Sequence, residues 1–471
     1  MLSAALQARS ISHLAQRPFG REKHTPSGGT VLTFDYPLFT LNKYIPIKRN
    51  LVMKNKINKI GILVGGGSAP GINSVIHAVT VEAYRNHCTV TGIYDGFKHL
   101  MEGNLVGVEL TPEMVGYIYL EGGSILHSAR ANPTKSPDAL RQCVTTLQNA
   151  GIDALISIGG DDTAYSASQV TKYAHEIMGV DLPSVHVPKT IDNDLPLPGD
   201  IPTFGFETAR EVGARLVMNL KRDSSTMRHW FLVLSMGRNS GHLALGIGQG
   251  ATSTVTLIPE EWSGREIRLH EVVDVLVTTM LMRLAEGKPY GVAVLAEGLL
   301  ENLSLEDLNT LEHVERDEHG HIRLPDVNFL DILKTEIDKE LARYGIRLKM
   351  VKHILGYELR CAPPCALDIE YTRGLGGAAV EFLLNGGTSA IITLQQGQMV
   401  PIPYQDMLNQ KTGRTEVRMV DTNSHRYSTA YKFMTRLKPE HADDNLLLEK
   451  LSAVTHLTTK EFRERYGYLM K

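Results

Sequence analysis

A chain of 471 residues, 42% of them apolar and 42 of them glycine, can bury more than one core, which points to two α/β domains. Its net charge of −3 argues against a polyanion-binding surface for nucleic acid, and no apolar run approaches the roughly 18 residues of a membrane span. Any phosphorylated ligand must then be held by local arginines and backbone N–H groups.

Residues 1–55 read as an extension. Met1 to Phe19 carries Arg9 and Arg17 with no acidic residue before Glu22, compatible with a transit-like amphipathic helix. Met53 can equally be the true start. A surface-draped tail on a cytoplasmic protein is the expectation. Four cysteines, Cys88, Cys143, Cys361 and Cys365, lack the paired spacing of a zinc site and are read as reduced thiols.

Lys59 to Val64 is a short β-rich run that enters Gly65-Gly66-Gly67-Ser68-Ala69-Pro70-Gly71, and Ile72 to Tyr84 follows with helical apolar spacing. Strand, glycine loop and helix form a phosphate cradle, since glycines expose N–H groups and a helix start favours negative charge. Further strand-like runs at Thr89 to Tyr94, Asp153 to Ile158, Ser184 to Val187, Trp230 to Ser235 and Val255 to Ile258 alternate with helical ones. That alternation predicts mainly parallel sheets flanked by helices, arranged as two Rossmann-like domains. The expected division is a donor-binding domain at 56–190, a second at 191–420 with chain crossings, and a tail at 421–471 packing on the core. Glu301 to Arg323 reads as a surface hairpin or insertion.

The strand Asp153 to Ile158 ends in Gly159-Gly160-Asp161-Asp162-Thr163, and Ala164 onward reads as a helix. Turns at the carboxyl ends of parallel strands are where α/β proteins bind phosphorylated ligands. Asp161 is the candidate magnesium ligand, because that ion binds through one or two carboxylates plus substrate phosphates. Downstream stands Lys189-Thr190-Ile191-Asp192-Asn193-Asp194. If Thr190 to Asp194 is extended, Asp192 and Asp194 point the same way, offering a base beside a second acid. The same Asp-Asn-Asp pattern also suits an Asx turn.

These segments collectively resemble the phosphofructokinase family. They run in family order from Gly65–Asn73 through Gly92–Phe97, Ser128–Arg130, Gly159–Thr163, Pro188–Asp194, Thr203–Phe206, Met236–Arg238 and Ala296–Gly298 to Leu355–Arg360. The resemblance implies the phosphofructokinase-like fold, a homodimer or homotetramer, and transfer of a phosphoryl group to the C1 hydroxyl of fructose 6-phosphate in glycolysis. It implies Asp192 as general base with Thr190 and Asp194 shaping its pocket, and Asp161 as the Mg2+ ligand. The backbone of Gly66 and Gly67 would meet the donor, and Arg130 the transferring group, where a fixed guanidinium suits charge spread over equatorial oxygens. Met236, Gly237, Arg238, Glu297, Tyr357 and Arg360 would bind the sugar phosphate. An arginine that many relatives supply from a neighbouring subunit aligns with either Arg228 or His229.

Two positions bear on the donor. ATP-using relatives usually carry glycine where this chain has Asp162 and Lys189, and pyrophosphate-using relatives resemble this chain at both. A carboxylate at Asp162 repels a nucleotide α-phosphate, whereas Lys189 neutralises the free end of pyrophosphate. Ser68 matches neither donor class. The expected reaction uses pyrophosphate and runs in both directions; the alternatives are ATP as donor, or an inactive sugar-phosphate sensor.

Overall fold

The computed structural model describes residues 57–198, 201–310, 328–407 and 415–471. The expected N-terminal extension and most of the expected 301–323 insertion lie outside the described residues. Within the part that is described, 305–310 form a short helix rather than a hairpin strand.

Among the described residues, eleven strands build two sheets. The first holds β1 (Lys59–Val64), β2 (Thr89–Ile93), β3 (Gly107–Leu110), β4 (Ala154–Gly159), β5 (Ser184–Pro188), β10 (Ala390–Gln395) and β11 (Gln398–Pro403); the second holds β6 (Trp230–Ser235), β7 (Val255–Leu257), β8 (Gly291–Ala296) and β9 (Met350–Leu355). Strand order is β11-β10-β5-β4-β1-β2-β3 in the first and β7-β8-β6-β9 in the second. The first is parallel except for its edges, where β3 and β11 run antiparallel to their neighbours; the second is wholly parallel.

The interior strands are apolar on both faces because helices cover both. Ile60, Ile62, Val64, Ile156 and Ile158 face the helices Ile72–Arg85 and Ala366–Leu384. Leu63 and Leu155 face the helices Pro137–Asn149 and Asp161–Met178. A third large core surrounds the second sheet, and the C-terminal helices His425–Phe433, Asn445–Thr455 and Thr459–Tyr466 bury Tyr427, Leu448, Leu451 and Phe462 in it. The fully buried Asp274 accepts two bonds of 2.7 Å from Arg465 and one of 2.6 Å from the Tyr468 hydroxyl, fixing the chain end.

Residues 366–403 fall within the expected second domain, yet they complete the first sheet. β10 pairs with β5, matching Ala390 to Val185 and Ile391 to His186. The hydrophobic side of the 366–384 helix packs on the 72–85 helix. The physical reason is that β5 without β10 would present an open row of backbone donors and acceptors.

Candidate active site

Carboxyl ends of parallel strands from both sheets supply the site residues. One cavity is lined by Gly66, Gly67 and Ser68 after β1, Gly160 to Thr163 after β4, Lys189 to Asp192 with Asp194 and Leu195 after β5, Arg238 after β6 and Arg360 after β9. Ten of the expected site residues therefore share one cavity: Gly66, Gly67, Asp161, Asp162, Lys189, Thr190, Asp192, Asp194, Arg238 and Arg360. Ser68 and Thr163 join them.

The glycine loop is shaped by close approach. A Cβ on Gly65 or on Gly159 would lie 2.4 Å from the Thr163 side chain, so that threonine wedges the β1 and β4 loops together only because both positions lack side chains. Ser128 donates to the Gly66 carbonyl at 2.6 Å, and the Gly66 N–H donates to Ala129 at 3.1 Å. Of the two strand-to-helix turns expected to face a phosphorylated ligand, the helix start of one opens onto the cavity. Gly71, before the 72–85 helix, is packed against Thr372 and Phe204, whereas the 161–178 helix begins at the cavity with Gly160 as its N-cap and both aspartates in its first turn. Asp161 is half-buried and Asp162 exposed. Behind this turn, the Ser157 hydroxyl lies 2.8 Å from His186 Nδ1, and His186 Nε2 lies 2.9 Å from the Gly159 carbonyl. The carbonyl can only accept, so Nε2 carries the proton and Nδ1 accepts from Ser157. Burial holds His186 neutral, with its pKa pushed down to about 3.

Lys189 is 5% exposed, and its ammonium donates to the Gly67 carbonyl at 2.5 Å. Burial pushes its pKa down to about 8; Asp192 opposes the shift, and Arg360 and Arg238 add to it. Asp192 is equally buried, and its Oδ1 has no hydrogen-bond partner. Burial, then the Asp194 charge, push its pKa up to about 6 against the pull of Arg238 and Arg360. Arg238 Nε stands 3.9 Å from Asp192 Oδ2. A buried carboxylate oxygen without a donor, poised near neutral pH, is equipped to take a proton from a ligand.

The expected extended run from Thr190 to Asp194 is instead a bend. Thr190 Oγ1 accepts from the Asp192 N–H at 3.0 Å, and Asn193 adopts the left-handed conformation with φ 57°. Both carboxylates line the cavity because of that turn rather than through strand alternation. Asp194 is shifted upward by burial, against its hydrogen bond with Thr190, and the Asp161 charge adds to the shift. Arg418 donates from Nε to the Asn193 carbonyl at 3.0 Å and from Nη2 to Asn193 Oδ1. Nothing near Arg418 in the sequence signals this contact across 225 positions.

Five expected residues do not line the cavity. Arg130 is exposed beside the glycine loop, and Tyr357 is 79% exposed with Arg360 over its ring at 5.3 Å. Met236 and Gly237 lead from β6 into the turn at Arg238 and Asn239. Glu297 accepts from the N–H groups of Gly237 and Arg238 at 3.2 and 3.1 Å, supporting the turn that presents Arg238. Arg360, expected at the sugar phosphate, lies against the glycine loop, its guanidinium carbon 3.5 Å from where a Cβ on Gly67 would stand. At the end of the helix Phe206–Met227, Arg228 is exposed while His229 is 4% exposed.

Among the described residues, no group of three or more His, Cys, Asp or Glu is placed to hold a metal ion. Asp161 and Asp194 offer two mutually repelling carboxylates in one cavity. That donor set suits a hard cation completed by ligand phosphates.

Residues 59–383 match the Phosphofructokinase family model. The chain belongs to the phosphofructokinase family. A pyrophosphate–fructose 6-phosphate 1-phosphotransferase of Thermotoga maritima is 47% identical over 87% of this chain and 98% of its own length. Its namesake in Naegleria fowleri is 43% identical over 89% of this chain and 98% of its own. Among solved phosphofructokinases, the T-state Pichia pastoris structure superposes with a TM-score of 0.60 at 22% identity, covering 88% of this chain, which spans only 39% of that longer one. At that identity the likeness speaks for the fold alone. No helix among the described residues is long and apolar enough to cross a membrane.

Proposed function

We propose that this chain transfers a phosphoryl group from inorganic pyrophosphate to the C1 hydroxyl of fructose 6-phosphate, a step of glycolysis that yields fructose 1,6-bisphosphate and phosphate. The observation that carries the reading is a single one: the buried Lys189 ammonium, the acidic pair and the partnerless Asp192 oxygen share one cavity. Asp192 takes the C1 hydroxyl proton as the sugar oxygen bonds to phosphorus. The bridging P–O bond breaks, and its electron pair leaves with phosphate. Lys189, Arg238 and Arg360 offset the spreading negative charge. A phosphoanhydride is exchanged for a phosphoester plus free phosphate, so the driving force is smaller than with ATP and the reaction runs both ways.

Magnesium would be held by Asp161, with Asp194 near, and when bound it would neutralise donor phosphate charge. Asp161→Ala is expected to lose turnover that excess magnesium does not restore. Unchanged magnesium dependence in that variant would remove Asp161 from this role. Met236, Gly237, Glu297 and Tyr357 support the sugar site, the first three by shaping the turn of Arg238. The exposed Arg228, rather than buried His229, is the member of that pair suited to reach another subunit of a homodimer or homotetramer. A cytoplasmic location accords with this chemistry.

A turnover assay with pyrophosphate and with ATP tests the donor directly; equal use of both would refute the pyrophosphate reading. The pH dependence follows from the two shifted groups. kcat/KM should rise as Asp192 ionises through about pH 6 and fall as Lys189 deprotonates through about pH 8. Lys189→Arg should abolish the alkaline fall, because a guanidinium stays charged. A wild-type profile that is flat from pH 5 to 9 would contradict both assignments.

A further inference from the structure

The turn that carries the two cavity aspartates is held from outside the cavity. Asn193 sits between them in the left-handed conformation, which asparagine reaches more readily than other residues with a Cβ and which local hydrogen bonds hold in place. Those bonds come largely from one side chain. Arg418 Nε donates to the Asn193 carbonyl at 3.0 Å, Nη1 to the Ile201 carbonyl at 2.8 Å, and Nη2 to Asn193 Oδ1. Its own N–H donates to the Asp194 carbonyl at 2.8 Å, and Asn193 Oδ1 also accepts from the Thr203 N–H at 3.0 Å.

Arg418 is itself anchored through its neighbour. Two residues on, the Val420 N–H donates to Glu260 Oε1 at 2.9 Å, and the same oxygen accepts from the Gly241 N–H at 2.8 Å, where the helix His242–Ala251 begins. Ser240, next to Gly241, donates to the Asp192 carbonyl at 3.1 Å. Residues 418–420 thus form a strap that starts at the second sheet's core and ends on the Asp192–Asp194 turn. Arg418 is not among the residues that line the cavity.

We propose that Arg418 is a positioning residue that sets the direction of the Asp192 and Asp194 carboxylates by clamping Asn193. A planar guanidinium suits the task, since its forked donors reach three acceptors that lie apart. The proposal rests on the reading of Asp192 as general base. Misplacing a base by about 1 Å costs about 10²-fold in rate while leaving ligand contacts largely intact.

The test uses the full chain as Arg418→Ala and Arg418→Lys, with Asp192→Asn in parallel. In Arg418→Ala, kcat should fall roughly 10–100-fold while KM for both substrates stays within about threefold. Millimolar guanidinium should restore part of kcat in Arg418→Ala and none in wild type. Arg418→Lys, which keeps the charge but not the fork, should fold like wild type and lose an intermediate share of kcat. A folded Arg418→Ala with wild-type kcat overturns the clamp. So does a loss that tracks unfolding and resists guanidinium in Arg418→Ala, with full activity in Arg418→Lys. If Asp192→Asn keeps turnover, the base reading fails, and the clamp is then judged on the kcat and guanidinium response of Arg418→Ala alone.

Discussion

Asp192→Asn should lower kcat by roughly 10²–10⁴-fold, the range that general-base action contributes, while binding of fructose 6-phosphate persists. The same substitution should make the protein more stable at neutral pH. The folded pKa of Asp192 is raised to about 6 from an ordinary 3.8, so the folded chain retains a proton that the unfolded chain releases between those values. That contribution is complete below about pH 3.8 and lost as pH rises through about 6. Above pH 6 the wild type carries a buried charge that asparagine lacks, so the variant should gain on the order of 1–3 kcal/mol there, and the gain should shrink toward pH 4. Denaturant unfolding at pH 5 and pH 8, with steady-state kinetics on the same samples, measures both effects. Near-wild-type turnover would end the base assignment; a variant that is less stable at pH 8 would contradict the burial argument.

The second large effect concerns the donor. Asp162 is exposed at the mouth of the cavity and Lys189 is buried in its wall, so the two act differently. Lys189→Gly removes a buried ammonium and leaves the Gly67 carbonyl without its donor. A hydrogen bond to a charged group contributes about 1.5–3 kcal/mol, so kcat/KM for pyrophosphate should fall by roughly 10²-fold. Asp162→Gly removes charge and bulk from the path of a nucleotide α-phosphate and should raise kcat/KM for ATP. Asp162→Asn removes the charge alone, leaves no glycine in the first helical turn, and so separates repulsion from sterics. The double variant should shift preference furthest, without strict additivity, because the two residues share one cavity. The quantity to compare is the ratio of kcat/KM between donors. A ratio untouched by Asp162→Gly and Asp162→Asn would mean that this carboxylate does not exclude nucleotides.

The parts of the fold legible in the sequence were those coded by local pattern. β1, β4 and β6 are continuous apolar runs that end in glycine or a polar turn, and the helix after Gly160 starts where the acidic pair stands. The place of 390–403 was not legible, because strand character says nothing about which neighbour a strand will join. The site divided in the same way. Lys189, Thr190 and Asp192 follow β5 directly, so their place at its carboxyl end was readable. Strand alternation was the wrong basis for pairing Asp192 with Asp194, since the bend depends on Asn193 and on Arg418, far along the chain. Glu297, expected at the sugar site, bonds to two N–H groups of a turn, a contact set by the spacing of β6 and β8 that no local signal encodes.

The late return of the chain to its first sheet has a consequence for biosynthesis. β5 is made by residue 188, but its partner β10 and the helix that covers the adjoining face follow only after residue 365. A nascent chain emerging from the ribosome therefore carries an unpaired strand edge and an uncovered apolar face while nearly two hundred further residues are translated. Such edges template association with other chains. A chain truncated before β10 would keep that open edge on β5.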